Sequence, residues 1–391
     1  MCLYSRRLPG SISPNVFTRL IEERRRTGAP LLDLASSNPT DVLPGYPHAQ
    51  IANACASIPD WSYQPHPFGS DEARNEIASL YRERGIHLTL DQIALTASTS
   101  EAYGCLFKLL CDPDDEVLVP VPSYPLFEYL AALECVRTVP YRLVYDGAWF
   151  IDFADLRKRL SSRSRAVVVV NPNNPTGSFL KTFEVDTLLD IARERGMPVI
   201  SDEVFVDYRF ANETVCVSKL AGTESALAFS LNGLSKMAAM PQMKLGWIVI
   251  SGPAKERDTA RGRLELVLDT YLSVSMPVQA ALRNLLRIGA QNRRNLNLRI
   301  ERNLSTLRTV LADRPVHVLH CEGGWSAILR LPNTQSEEMW ISQLLEKENV
   351  IVQPGYFFDM PSEPYVVVSL ITPESVFEEG VSRIVRLAAL A

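Results

Sequence analysis

The chain lacks an apolar run of the roughly 18 residues that a membrane-spanning helix needs. Its longest apolar runs are short and rich in β-branched residues, as in Ala166 to Val170, and they favour buried strands. Residues 1–13 include two arginines, but no apolar segment follows them, which argues against a secretory signal. We therefore predict a cytoplasmic protein that has no membrane partner.

The sequence also lacks a block of positive charge. Of its 391 residues, 40 are Lys or Arg and 45 are Asp or Glu, so the net charge is -5. A mildly acidic chain of this kind is a poor nucleic-acid binder on electrostatic grounds. Its apolar fraction of 46% and charged fraction of 22% are ordinary for globular proteins, which excludes a disordered, collagen-like or coiled-coil chain.

Cysteine and histidine are few and scattered. The seven cysteines are odd in number and contain no C-x-x-C pair, and the five histidines form no H-E-x-x-H motif. We interpret the cysteines as reduced, mostly buried side chains, and we predict no disulfide framework and no metal site. The cysteines are Cys2, Cys55, Cys105, Cys111, Cys135, Cys216 and Cys321.

The length and the changing pattern predict two folded units. From about Ile51 to Gly289, helical patterns alternate with short strands that are apolar on both faces, which predicts a mainly parallel sheet with helices on both sides. After Gly289 a long, Arg-rich helix and short strands predict a smaller α+β unit. We expect an N-terminal segment 1–45 packing on the small domain, a large domain 46–289 and a small domain 290–391.

A turn-forming sequence follows the clearest predicted strand. Residues Asn171 to Gly177 read Asn-Pro-Asn-Asn-Pro-Thr-Gly, and their two prolines and glycine indicate a turn. The carboxyl edge of an open parallel sheet is where ligands bind, and Asn174 would offer an amide donor there. The alternative interpretation is a tight loop that only begins the next helix.

Two charged side chains end later strands. Asp202 follows the strand around Ile200, where a carboxylate is either a surface charge or the partner of a cationic ligand atom. Lys236, in Gly-Leu-Ser-Lys, follows a buried strand, where desolvation would lower its pKa and make it a nucleophile for carbonyl groups. Taken singly, a surface carboxylate and a solvated lysine are the simpler interpretations.

Hydroxyl groups mark the start of a predicted helix. Thr96 to Ala102 reads Thr-Ala-Ser-Thr-Ser-Glu-Ala, where a strand passes into a helix. Hydroxyls and free backbone N–H groups at a helix N-terminus form an anion site. An ordinary Ser or Thr cap is the alternative.

In order and spacing, these four clusters resemble the fold type I pyridoxal-phosphate enzymes, specifically the class I/II aminotransferases. Asn174 lies 28 residues before Asp202, and Asp202 lies 34 before Lys236. The resemblance runs from about Leu31 to the C-terminus. It implies the fold type I large domain, with a seven-stranded-type sheet between helices, and a smaller α+β domain. It also implies an aminotransferase that moves an amino group between an amino acid and a 2-oxo acid by a ping-pong mechanism.

The resemblance implies a role for each matching residue. Lys236 is similar to the lysine that holds pyridoxal 5'-phosphate as an internal aldimine and shuttles protons, and Asp202 to the partner of the ring nitrogen. Asn174 is similar to the residue that donates to the cofactor's phenolic oxygen, and Tyr124 to the aromatic residue that stacks on the ring and takes part in catalysis. The other implied cofactor contacts are Ser98, Thr99 and Ser100 in the phosphate cup, together with Ser235 and Tyr63. Because Tyr63 resembles a tyrosine that reaches the partner subunit's phosphate, the resemblance implies a homodimer with shared active sites.

Three positions and one strand depart from the family pattern. Phe205 stands where a tyrosine usually donates to the phenolic oxygen, Lys244 where an arginine usually clamps the phosphate, and Gly233 where a phosphate-binding serine is common. The first change removes a hydrogen-bond donor, and the second keeps the charge but loses the bidentate guanidinium. The strand Tyr365 to Ile371 carries no arginine, although the family normally places there the arginine that binds the substrate carboxylate. This last departure leaves the means of binding the carboxylate open.

Two other functions compete with transamination. A lyase or decarboxylase on the same fold would use the same lysine, since the reaction type depends on which substrate bond stands perpendicular to the ring. A non-catalytic ligand sensor of this fold usually carries a DNA-binding domain ahead of it. Here the family-like sequence begins by about Leu31, which argues against a sensor.

Overall fold

The computed structural model describes residues 4–9, 15–210, 219–272, 274–360 and 364–390. The helices are α1 (Val16–Arg26), α2 (Pro39–Val42), α3 (His48–Ala56), α4 (Asp71–Glu83), α5 (Thr99–Leu110), α6 (Leu126–Leu133), α7 (Phe153–Arg159), α8 (Thr182–Arg195), α9 (Leu234–Met237), α10 (Ala254–Tyr271), α11 (Met276–Leu311), α12 (Glu337–Glu348) and α13 (Glu374–Ala388). The strands are β1 (Leu32–Asp33), β2 (Ile93–Thr96), β3 (Glu116–Val121), β4 (Arg137–Tyr145), β5 (Trp149–Ile151), β6 (Ser164–Val170), β7 (Val199–Asp202), β8 (Ala228–Gly233), β9 (Gly246–Ser251), β10 (His317–Val318), β11 (Ser326–Arg330), β12 (Val350–Ile351), β13 (Gln353–Pro354) and β14 (Tyr365–Ser369).

A large sheet organises the first two thirds of the chain. Its strand order is β2-β9-β8-β7-β6-β3-β4-β5, and the run from β8 to β4 is parallel. The strands β9 and β5 run antiparallel to their neighbours. The predicted mainly parallel α/β sheet is therefore confirmed. The sheet has eight strands, one more than the predicted seven-stranded type. The additional strand is β5, which folds back onto β4 as a hairpin because Gly147 adopts a left-handed φ of +70°.

A second, antiparallel sheet lies towards the C-terminus, in the order β10-β11-β14-β13. The N-terminal segment joins this region, because β1 pairs with β12 and Arg24 of α1 donates to the Asn349 side chain at 2.9 Å. One apolar core cluster includes residues of both regions, among them Trp247 and Trp340.

Helix α11 bridges the predicted domain limit at 289/290. Gly289, where the sequence pattern changes, lies inside this helix. A Cβ added at Gly289 would lie 2.4 Å from the Cβ of Ala238, so the glycine allows close packing against the chain after α9. The limits 1–45, 46–289 and 290–391 stay a prediction.

The structure can be compared with two predictions made from the sequence, which concern the cysteines and membrane-spanning helices. The described cysteines Cys55, Cys105, Cys111, Cys135 and Cys321 are free thiols, while Cys2 and Cys216 lie outside the described residues. In the part of the chain that the structure describes, no helix combines the length and apolarity needed to cross a membrane.

Candidate active site

The strand ends of the large sheet bring the predicted clusters to one edge. Thr96 of β2 and Gly233 of β8 both pair with Gly246, since β9 runs antiparallel between them. A Cβ added at Gly246 would lie 3.0 Å from the carbonyl carbon of Ser98 and 3.2 Å from the backbone nitrogen of Thr99. The missing side chain at Gly246 thus lets the start of α5 approach β9, which lies beside the strand that leads to Lys236.

The amino group of Lys236 lies among aromatic rings. Its Nζ is 4.9 Å from the centroid of the Trp325 ring and 5.7 Å from that of Phe205. The two rings pack edge to face, with centroids 5.3 Å apart. Burial lowers the pKa of Lys236, and the nearby Asp202 carboxylate partly opposes that change. A less basic amine is more often uncharged, and only the uncharged form attacks a carbonyl carbon.

Asp202 ends β7, the strand next to the one that leads to Lys236. Its two carboxylate oxygens accept from the Tyr103 hydroxyl and from the backbone N–H of Val204, each at 3.2 Å. Burial raises the pKa of Asp202 to about 6, and these two hydrogen bonds and Lys236 act in the opposite direction. This carboxylate would be stabilised by a cation placed beside it.

The Asn174 loop leaves β6 at the same edge. The backbone N–H of Asn171 donates to the Asp202 carbonyl at 2.8 Å, and Asn171 Oδ1 accepts from Leu180 at 3.0 Å. Asn174 Oδ1 accepts from the Ser326 hydroxyl at 3.2 Å, so its amide NH₂ group is left to donate to a ligand. The loop is packed against the second sheet, because a Cβ at Gly177 would lie 2.5 Å from the Gly323 carbonyl oxygen.

The start of α5 has the features of an anion site. Ser98 caps the helix by accepting from the Glu101 N–H at 3.1 Å, and Glu101 accepts in turn from the Ala97 N–H. The N–H groups of Thr99 and Ser100 belong to the first turn, where the helix itself supplies no acceptor. Ser98, Thr99 and Ser100 are all partly exposed, so a ligand can reach them.

The other predicted contacts differ in exposure. Phe205 is buried and Ser235 half-buried, whereas Lys244 is exposed with a left-handed φ of +50°. Tyr124 is 47% exposed, which leaves its ring available to a ligand. Tyr63 is 68% exposed, as required of a side chain that acts outside its own subunit. The binding roles of these residues stay predictions.

Sequence reasoning missed four residues of this site: Tyr103, Tyr208, Ser326 and Trp325. Tyr103 contacts Asp202 from 99 positions away, and the Tyr208 hydroxyl donates to the Lys236 carbonyl at 2.7 Å. Trp325 follows two buried glycines, which is a weak local sign of close packing.

The strand β14 carries no cation in its interior. Val367 packs in an apolar cluster with Trp149, Phe358 and neighbouring side chains, and Val366 and Val368 lie in the main core. In the described structure, the interior positions of β14 are therefore apolar, and no arginine stands where the family normally places one.

Comparison with known proteins agrees with this geometry. Residues 29–384 match the family described as aminotransferase class I and II. The chain is 25% identical over 378 residues to glutamate-pyruvate aminotransferase AlaA of Haemophilus influenzae, covering 94% of this chain and 92% of that protein.

Two solved structures share the fold. Alanine aminotransferase from Pyrococcus furiosus superposes with a TM-score of 0.87 at 23% identity, covering 99% of this chain and 100% of the other. Aspartate aminotransferase from Thermotoga maritima gives 0.82 at 21% identity, covering 98% and 99%. Because the family match spans nearly the whole sequence, the chain belongs to the class I and II aminotransferases and is an enzyme of the aminotransferase type.

Proposed function

We propose that this aminotransferase binds pyridoxal 5'-phosphate through Lys236 and moves an amino group between an amino acid and a 2-oxo acid by a ping-pong mechanism. The observation that carries the proposal is the pairing of a half-buried lysine of lowered pKa with a carboxylate of raised pKa, at the ends of adjacent strands. Groups whose pKa values are displaced by burial and by each other are characteristic of catalytic sites.

The chemistry of the donor set fits this cofactor. A dianionic phosphate suits the free N–H groups and hydroxyls at the start of α5. A protonated ring nitrogen suits Asp202, whose carboxylate is costly to bury without a cation. The amide NH₂ of Asn174 suits a phenolic oxygen, and the amine of Lys236 suits an aldehyde.

When bound, pyridoxal phosphate supplies a reactive aldehyde and a ring that withdraws electrons from the substrate's α-carbon. Asp202 keeps the ring nitrogen protonated, and Tyr103 holds that carboxylate in place. Lys236 would hold the cofactor through Nζ, and the same amine, once free, would accept and return a proton. The surrounding rings of Trp325 and Phe205 exclude water from that amine.

The names of the relatives select the first substrates to test. The Haemophilus influenzae relative is a glutamate-pyruvate enzyme, and one solved neighbour is an alanine aminotransferase. We propose alanine and glutamate as amino donors, with pyruvate or 2-oxoglutarate as acceptor. We further propose a homodimer in which Tyr63 contributes to the partner's site, and a cytoplasmic location.

A half-reaction tests the function. The loaded enzyme is mixed with one amino donor and no acceptor, and both the donor consumed and the 2-oxo acid formed are measured against enzyme concentration. A transaminase forms one equivalent and stops, because its cofactor is left aminated. Continued turnover would show a lyase or decarboxylase instead, and restart on addition of a 2-oxo acid confirms the ping-pong order.

A further inference from the structure

Four consecutive carbonyl groups around Lys236 are each held by a different side chain. The Tyr208 hydroxyl donates to the carbonyl of Lys236 at 2.7 Å, and the Tyr46 hydroxyl to that of Ala239 at 2.8 Å. Between them, two side chains of α11 hold the carbonyls of residues 237 and 238. These are Arg293, which donates to Met237 at 3.4 Å, and Asn292, which donates to Ala238 at 3.2 Å.

The local backbone explains why these donors are needed. Helix α9 has only four residues, and the Lys236 carbonyl accepts from the Ala239 N–H at 3.1 Å in addition to the Tyr208 hydroxyl. For the carbonyls of residues 237–239, at and after its C-terminal end, the helix itself supplies no N–H donor. Residues 237–240 are buried, and a buried carbonyl without a donor is costly. Ala239 has a left-handed φ of +55°, which an alanine adopts only when its surroundings enforce it. The four side chains supply that enforcement.

One of these residues, Tyr208, also packs on the aromatic ring beside the lysine amine. Tyr208 packs edge to face on Trp325, with centroids 5.1 Å apart, and Trp325 faces Lys236 Nζ. Tyr208 therefore contacts the lysine at its carbonyl and, through Trp325, at its amine. Burial raises the pKa values of Tyr208 and Tyr46, which keeps both hydroxyls protonated as donors.

We propose that Tyr208, Tyr46 and Asn292 are positioning residues for Lys236, which hold its backbone so that the amine stands in a reactive place. This inference rests on the proposed function, in which Lys236 carries the cofactor. Reactions of this kind are sensitive to placement, and a displacement of about 1 Å costs on the order of 100-fold in rate.

The chain offers a matched control. Tyr141 is fully buried like Tyr208, and its hydroxyl also donates to a backbone carbonyl, that of Val168, at 2.8 Å. Tyr141→Phe and Tyr208→Phe thus remove the same kind of hydrogen bond, one at a strand of the sheet and one at the lysine. Tyr46→Phe provides a second test variant.

The experiment measures capture of pyridoxal 5'-phosphate by the full-length chain freed of cofactor, with borohydride trapping and peptide mapping at Lys236. We expect Tyr208→Phe to slow capture at Lys236 at least about tenfold, Tyr46→Phe less strongly, and Tyr141→Phe less than about twofold. Urea unfolding of each variant reports its loss of stability separately. Equal capture rates in Tyr208→Phe, Tyr46→Phe and Tyr141→Phe would overturn the inference, because these hydrogen bonds would then be structural only.

The residue that is trapped separates the two proposals. If the unsubstituted chain captures the cofactor on a lysine other than Lys236, the proposed function fails. If Lys236 is the trapped residue and Tyr208→Phe captures as fast as the unsubstituted chain, the function stands and the positioning role fails.

Discussion

At the scale of single residues, the carboxylate of Asp202 links pH to stability. Its pKa is about 6 in the fold and near 3.8 in an ordinary environment, so the folded chain binds this proton more tightly than the unfolded chain. Between about pH 4 and pH 6, the free energy of unfolding therefore falls as pH rises, by at most about 3 kcal/mol from this group.

Asp202→Asn removes this titration. For the chain without cofactor, we expect the variant to lose less stability between pH 4 and pH 7 than the unsubstituted chain does, as measured by urea unfolding at each pH. With cofactor and substrate, the same variant should lose most of its transamination rate, because an amide does not hold the ring nitrogen protonated. Parallel pH curves for the two chains would contradict the assigned pKa.

Single residues also show where sequence reasoning reaches its limit. Lys236, Asp202 and Asn174 each follow a strongly apolar strand, so their shared edge was predictable from local pattern. Tyr103 and Tyr208 matter because of tertiary contacts, with Asp202 and with the carbonyl of Lys236. Nothing in the residues beside them indicates those partners.

At the scale of elements, the loop after β6 depends on the close approach of Gly177, in that loop, to Gly323. Gly177 and Gly147 both have left-handed φ values, +68° and +70°. A Cβ at Gly177 would lie 2.5 Å from the Gly323 carbonyl oxygen, whereas one at Gly147 meets nothing within 4 Å. Gly147→Ala therefore carries backbone strain alone, while Gly177→Ala adds a steric overlap.

We expect Gly147→Ala to lower the free energy of unfolding by about 1 kcal/mol. Gly177→Ala should lower it by about 2–4 kcal/mol, since forced overpacking typically adds 1–3 kcal/mol to the backbone strain. The same variant should weaken cofactor binding, because the loop carries Asn174. Equal losses in the two variants, measured by urea unfolding, would show that the contact with Gly323 is not tight.

The absence of a cation in β14 predicts weak recognition of the substrate carboxylate. A hydrogen bond to a charged group contributes roughly 1.5–3 kcal/mol, so its loss flattens the preference for an amino acid over the matching amine. We expect kcat/KM for alanine to exceed that for ethylamine by less than about a thousandfold. A larger ratio would reveal a strong anchor elsewhere, and Arg330 and Arg19 would then be substituted in turn.

Element boundaries were predicted unevenly. The sequence pattern predicts a helix over Leu126 to Leu133, and these are the limits of α6. It also predicts a helix end near Gly196, which follows α8 in the left-handed conformation typical of a C-cap. The pattern predicts the long Arg-rich helix over Asn292 to Leu311, but α11 begins sixteen residues earlier, at Met276, because Gly289 packs against the chain after α9. Tertiary contact overrides a glycine signal of that kind.

At the scale of the whole molecule, a shared active site predicts complementation between subunits. Tyr63→Ala and Lys236→Ala would each impair activity alone. If Tyr63 serves the partner's site, a mixed dimer has one site with both an intact Lys236 and an intact Tyr63. We expect the mixture, unfolded and refolded together, to be more active than either variant refolded alone. A mixture no more active than its parents, in a dimer verified by light scattering, would show that Tyr63 does not act across the interface.

The most direct test of the central proposal is chemical trapping of the lysine. The enzyme is loaded with pyridoxal 5'-phosphate, reduced with borohydride, digested and mapped by mass spectrometry. We predict a single reduced adduct, on Lys236. In Lys236→Ala this adduct should be absent, and transamination should fall at least about a thousandfold, consistent with the 10²- to 10⁴-fold that acid–base catalysis alone contributes. An adduct on a different lysine, or a Lys236→Ala enzyme that still transaminates at near the original rate, would contradict the assignment.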